Sequence, residues 1–408
     1  MDHKMVTLDE KFKNLRTDDA PGQEIKQSLE DIITIMKGGK LEGVPVDFSH
    51  GYVDAFPPIP VSEKVWKDGF KKGGQQAYTE YRGAIEIRRR LVYHLSKFTG
   101  QPIMSENELI ITPGTQGALF LALGATVSTG TKVAVIEPDY FANRKLVSFF
   151  GGVVVPISLK YLGHRSENGL NLDELETAFR NGTEVLVFSN PNNPTGLVYS
   201  EDDIISIATL ANIYDVTVVV DQLYSRMLYL GESYTHLRAC RNKPVNLITI
   251  MGPSKTESLS GFRLGVAFGT DYLIDRMEKL QAIVSLRAAG YNQYVLLTWF
   301  QEPENWMKSR IKAHEAIRNE LLRMFRSGDL PTATPQAGSY LFPKLPKLSI
   351  DLNTFVRLLR YQAGVTVTPA SEFAPNMNDS IRLNFSQNHE AAVAAAKRIV
   401  MMVKIYQV

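Results

Sequence analysis

Between about residue 105 and residue 285, short apolar runs alternate with amphipathic stretches, and this rhythm limits the possible folds more than any other feature of the chain. Glu108–Thr112, Lys132–Ile136, Val153–Ile157, Glu184–Phe188, Val216–Val220, Leu247–Met251 and Leu264–Phe268 read as strands. Gln116–Val127, Leu172–Arg180 and Ser200–Tyr214 read as helices; in the last, Ile204, Ile207, Ala208 and Ala211 recur at helical spacing. Strands that are apolar on both faces, alternating with helices, predict an α/β fold with a mostly parallel sheet covered on both sides. Ligands of such sheets sit beyond the carboxyl ends of the strands. That is where the unusual loops fall, after Thr112, Ile136, Phe188, Val220 and Met251.

Past residue 290 the pattern changes. A long helical stretch, Glu304–Ser327, precedes strand-like pieces at Ser339–Leu341, Val365–Thr368 and Ser380–Phe385, with helices at Leu352–Gln362 and Glu390–Ile405. This predicts a second, smaller α+β domain. The expected division is an N-terminal arm over 1–60 that belongs to the small domain, a large domain over 61–288, and the rest of the small domain over 289–408.

Composition removes several function classes. With 45 Lys+Arg against 43 Asp+Glu, the formal net charge of +2 carries no electrostatic footprint of a nucleic-acid binder. A hydrophobic content of 44% is that of a globular chain rather than a disordered one. The single cysteine, Cys240, can form neither an intramolecular disulfide nor a Cys-rich metal site, so no metal is expected. No apolar run is long enough to span a bilayer, and the charged first residues lack an apolar signal-type core. A cytoplasmic protein without membrane or nucleic-acid partners is the expectation.

The loops carry the chemistry. Thr112-Pro113-Gly114-Thr115-Gln116 joins a strand to a helix N-terminus, a ready anion or phosphate site, although an ordinary capped turn reads the same. Ser189 to Gly196 is a rigid Asn/Pro loop whose amides can present donors, as a plain surface turn also would. Asp221 closes a β-branched run near a buried sheet end, where a carboxylate is costly unless paired; Tyr224 follows three residues later. Lys255 ends another strand, and Arg263 precedes the next. A lone Lys or Arg is usually a solvated charge, but several at the ends of one sheet point to a site.

In their order along the chain, these loops resemble the class I/II aminotransferase family of fold-type-I pyridoxal-phosphate (PLP) enzymes, from about Phe48 to the C-terminus. The resemblance implies a seven-stranded-type sheet flanked by helices and pyridoxal 5'-phosphate as cofactor. It implies that Lys255 forms the Schiff base with the cofactor and then shuttles the α-proton. Asp221 would pair with the ring nitrogen, Asn193 and Tyr224 with the phenolic oxygen, and Tyr140 would stack on the ring. Gly114, Thr115 and Gln116, with Ser254 and Arg263, would cradle the phosphate. Tyr78 would reach the phosphate of the neighbouring subunit, which implies a homodimer with shared active sites. Arg382 would grip the substrate α-carboxylate, and Gly51 would close over the substrate.

The chain also departs from the family pattern. Gly252 stands where a Ser or Thr is common, and Gln222 where an acidic residue is common. His50 reads equally as a substrate contact or a satisfied loop histidine; Arg287 reads equally as a ligand of a distal substrate carboxylate or a dimer salt bridge. The reaction expected is amino transfer from an amino acid to a 2-oxo acid. The alternatives are another PLP reaction (racemisation, elimination or replacement, oxygen-dependent oxidation) and, last, a non-catalytic PLP-binding module.

Overall fold

The computed structural model describes residues 7–408 apart from 19, 24–25, 53 and 165–166; the side chains of 75 and 76 also lie outside the description. One large sheet contains β1 (Leu109–Pro113), β2 (Lys132–Glu137), β3 (Val153–Lys160), β4 (Gly169–Leu170), β5 (Val185–Ser189), β6 (Thr217–Asp221), β7 (Leu247–Met251) and β8 (Leu264–Gly269). Their spatial order is β1-β8-β7-β6-β5-β2-β3-β4. The seven strands legible in the sequence are joined by an eighth, the two-residue edge strand β4, which is too short to carry an apolar pattern.

β7, β6, β5, β2 and β3 run parallel, β8 is antiparallel to both neighbours, and β1 therefore points the same way as β7. Alternate residues of the central strands feed two different cores. Leu186, Phe188, Val218 and Val220 pack with Ile204, Ile207 and Ala208 of the helix Glu201–Ile213. Val185, Val187, Val219, Ile248 and Ile250 pack with Leu119 and Leu123 of the helix Gly114–Thr126 and with Met277 of the helix Asp271–Val284. Burial on both faces is why these strands read as unbroken apolar runs.

A separate core unites the two ends of the chain. Ile32, Val46, Phe48 and Phe56 pack with Phe355, Leu359, Leu383, Ile399 and Tyr406. Val46–Asp47 pairs in parallel with Val365–Thr366. Ile381–Asn384 is the middle of a three-stranded antiparallel sheet, between Tyr340–Leu341 and Thr368–Pro369. The single strand-like piece read at Val365–Thr368 is in fact two short strands in different sheets. Residues Val295 to Trp299 pack under the large sheet with Leu109, Ile111 and Leu264.

Candidate active site

β1 ends at Pro113, and Gly114 opens the following helix with φ at +78°. A side chain at Gly114 is excluded twice: by the left-handed backbone, and because a Cβ would lie 2.6 Å from Arg263 Nη2. Arg263 reaches this turn because β8 runs backwards, so that Leu264 pairs with Pro113. The start of β8 therefore sits at the edge where the parallel strands end. Two more glycines let the turn settle there. A Cβ on Gly265 would lie 2.4 Å from the Thr115 nitrogen, and one on Gly252 would lie 2.8 Å from Thr115 Cγ2. Gly252 is thus explained by packing: Thr115 fills the space that a serine or threonine side chain would need. The turn presents Thr115 and Gln116 at a helix N-terminus, where backbone N–H groups lack intrahelical partners.

Asp139 organises the next two strand ends. Its carboxylate accepts from the Tyr140 nitrogen at 2.6 Å, the Ser189 nitrogen at 2.8 Å and the Ser189 hydroxyl; Ser189 Oγ in turn accepts from the Asn193 nitrogen at 3.1 Å. Tyr140 is steered further by donating its hydroxyl to Gln116 Oε1 at 2.8 Å. Burial pushes the Asp139 carboxyl up to about 7, opposed by these hydrogen bonds and assisted by the charge of Asp221. Asp221 ends β6, with Oδ1 accepting from the Leu223 nitrogen at 2.9 Å; burial pushes it up to about 6.

The small domain supplies the opposite wall. Ile381 and Leu383 point into its core, so Arg382 between them faces the large sheet. Arg382 is 2% exposed; it donates to Asn193 Oδ1 at 3.3 Å, to the Ser49 carbonyl at 3.1 Å and to Thr368 Oγ1 at 3.3 Å. Its guanidinium lies 4.6 Å from the Tyr340 ring centroid, and the Tyr340 hydroxyl accepts from that of Tyr224 at 2.7 Å. Burial, followed by the neighbouring Tyr340, holds the Tyr224 hydroxyl well above the ordinary phenol range.

Thr115, Gln116, Tyr140, Asn193, Asp221, Tyr224, Ser254, Lys255, Arg263, Arg382 and His50 all line one cavity of about 230 Å³. Gly51 lines a smaller adjoining space of about 40 Å³ that shares Lys255, Ser254 and Tyr224. Tyr78 and Arg287 line neither; they meet at the surface, with the Arg287 guanidinium 4.9 Å from the Tyr78 ring centroid. Gln222 turns away as well: it is fully buried, with Oε1 2.9 Å from Nδ1 of His236. Burial lowers the His236 imidazole to about 4, so its neutral ring donates from Nδ1 to Gln222. Sequence reasoning missed Ser49, Tyr340 and Ser260 on the cavity wall, as well as Asp139 behind it. Only Asp139 had a signal, its place in Pro138-Asp139-Tyr140 at a strand end.

Five strand ends, one reversed strand and a facing arginine enclose a small cavity with three cations and one carboxylate, which defines an α/β enzyme built around an anionic cofactor. The chain belongs to the aminotransferase class I and II family, whose model matches residues 48–399. It is similar to the crystal structure of an aspartate aminotransferase from Rhodobacter sphaeroides, at 56% identity and a TM-score of 0.94, covering 98% of this chain and 100% of that one. It is 26% identical to an aspartate aminotransferase of Sulfurisphaera tokodaii, over 84% of this chain and 87% of the relative. It is also 24% identical to an aromatic-amino-acid aminotransferase of Thermococcus litoralis, over 89% and 92%. The protein is a PLP-dependent aminotransferase with amino acid and oxo acid substrates. No helix among the described residues is long and apolar enough to cross a membrane.

The residues present fit that cofactor. The side-chain-free turn at Gly114 leaves Arg263 and a helix N-terminus open to a phosphate, and Asp221 offers a carboxylate to a protonated ring nitrogen. Arg382 Nε is buried with no hydrogen-bond partner among the described residues, a donor left for a ligand.

Proposed function

We propose that Lys255 is the catalytic lysine of this aminotransferase, and that Asp221, Asn193 and Tyr224 tune the cofactor ring from the strand ends. Bound here, the cofactor supplies an electron sink for the substrate α-carbon. Lys255, on the wall of the cavity, removes and returns the α-proton. Gly114, Thr115, Gln116, Ser254 and Arg263 hold the phosphate end, with Tyr140 against the ring face. Arg382 binds the substrate α-carboxylate, its fork already aimed by Asn193 and the Ser49 carbonyl. Gly51 and His50 form the substrate-facing loop. One observation carries this reading: Asp221, Lys255, Arg263 and Arg382 come from four separate elements and meet at one cavity.

The protein acts as a cytoplasmic homodimer in this reading. The exposed Tyr78 serves the phosphate site of the partner subunit, and Arg287 either meets a distal substrate carboxylate there or bridges the dimer. The arm over 1–60 and residues 289–408 are read as the small domain around 61–288; the core shared between Phe48 and Phe385 supports that division, whereas Val295 to Trp299 pack with the large sheet instead. The test is to mix holoenzyme with a panel of amino acids, with and without 2-oxo acids, and read visible spectra together with products. Amino transfer predicts a new amino acid whenever the oxo acid is added. Its absence with every pair, alongside racemised or eliminated product, would sink the reading.

A further inference from the structure

Behind the cavity, one arginine joins the two loops that carry Tyr224 and Lys255. Arg226 lies two residues beyond Tyr224, and Glu257 two residues beyond Lys255. Arg226 Nη1 donates to Glu257 Oε1 and Nη2 donates to Glu302 Oε1. Glu257 is fully buried; its second oxygen accepts from the Thr256 hydroxyl, and its carbonyl accepts from the Ile59 nitrogen at 3.0 Å. The guanidinium stacks 4.1 Å from the Phe300 ring centroid. Phe300 and Asn305, on either side of Glu302, both hold left-handed φ values, 64° and 62°, in the linker that leads into the helix Trp306–Ser327.

This arrangement is not explained by stability. Buried ion pairs are commonly no more stabilising than apolar residues of the same size, because desolvation cancels most of the attraction. What a guanidinium fork does provide is direction, since two carboxylates bound by one planar group are held at a fixed angle. None of the three charged groups lines the cavity that contains Lys255.

We propose that Arg226 is a positioning residue that sets Tyr224 and Lys255 relative to each other, through Glu257 on the lysine loop and with Glu302 as its anchor on the linker. The proposal rests on the reading of Lys255 and Tyr224 as cofactor-site residues. A loosened pair displaces both side chains together, and a displacement of about 1 Å at reacting groups costs on the order of 10²-fold in rate.

The test compares Arg226→Gln, Arg226→Lys and the double variant Arg226→Met/Glu257→Leu with the wild-type holoenzyme. Readouts are kcat and KM, cofactor affinity by equilibrium dialysis, the pH midpoint of the bound cofactor's visible band, and the melting temperature of the apoprotein. The double variant removes both charges between the loops but leaves Glu302 without its arginine, so its melting temperature is expected below wild type. Independently of that fall, kcat is expected to drop about 10²-fold, with KM changed little and the absorbance midpoint displaced. Arg226→Lys, which keeps the charge but loses the fork, is expected to fall between it and wild type, and it carries the same test if the other variants do not fold. Wild-type kcat, cofactor affinity and absorbance midpoint in the double variant, or in Arg226→Lys should that be the only one to fold, would overturn the proposal and leave the pair a structural contact. Lys255→Ala, run alongside, reports on the underlying reading: unchanged turnover there would refute the lysine assignment whatever Arg226 does.

Discussion

The cavity and the Tyr78–Arg287 face use similar side chains in opposite ways. In the cavity, Arg382 is buried and held by three acceptors from three different segments. On the outer face, Tyr78 is 80% exposed, and the Arg287 guanidinium lies against the rings of Tyr78 and Tyr81, at 4.9 and 5.1 Å. Arg287 Nε is buried with no hydrogen-bond partner among the described residues. One chain thus gathers and orients the side chains around Lys255, whereas the outer face leaves its tyrosine in solvent, as a residue proposed to serve a partner subunit would be. The contrast teaches that preorganisation, rather than residue type, separates the two regions.

The strongest test of the finished site is Lys255→Ala. Turnover is expected to fall on the order of 10⁴-fold or more, and the bound cofactor's visible band to move to that of the free aldehyde. Asp221→Ala should slow turnover by about 10²- to 10³-fold and weaken cofactor binding, read by steady-state kinetics and dialysis. Near wild-type rates would remove Asp221 from the site. Arg382→Ala loses charge-assisted bonds to the substrate, and a fall of about 10- to 100-fold in kcat/KM is expected across amino acids that share only the α-carboxylate. An effect on melting temperature alone would make Arg382 structural.

The outer face calls for a test that needs two chains. Tyr78→Ala should weaken cofactor binding about tenfold, the worth of one hydrogen bond to a charged group. Mixing it with Lys255→Ala should give hybrid dimers with one intact site, whose cofactor affinity returns to the wild-type value. No complementation would mean that Tyr78 serves its own chain or none.

The smallest expected effect concerns Asp139. Its folded-state value of about 7 lies above the ordinary 3.8, so its contribution to apoprotein stability is fully present below about 3.8 and is lost as pH rises through 7. His236 acts in the opposite sense: lowered from 6.5 to about 4, it costs stability as pH falls through 6.5 towards 4. The Asp139 effect is therefore seen most cleanly between pH 6.5 and 8. Urea unfolding of Asp139→Asn should show a shallower fall in stability over that interval than wild type. An equal slope would mean that the carboxyl ionises freely in the folded chain.

Much of the cavity lining was legible because strand ends announce themselves. An aspartate after five β-branched residues, and a lysine after an apolar run, are anomalies in the local pattern, and both reach the cavity. Tyr340 gave no such signal. It lies on a two-residue strand whose place beside the cavity comes from pairing with Asn384, 44 positions away in the chain. Gly252 stood out in sequence as a departure from the family pattern, but its reason, a contact with Thr115 on a different strand end, left no local signal.

By itself, the sequence determined the seven longer strands of the large sheet, that the central ones are covered on both faces, and which polar side chains stand at their ends. Each follows from periodicity and local burial, which neighbouring residues impose on one another. The tertiary structure alone decided that β8 runs backwards, bringing Arg263 to Gly114, and that Arg382 faces the large sheet across the cavity. It also decided that Arg226 spans the loops of Tyr224 and Lys255. Strand order, strand direction and the docking of one core on another depend on contacts between residues tens to hundreds of positions apart, and no local pattern encodes them.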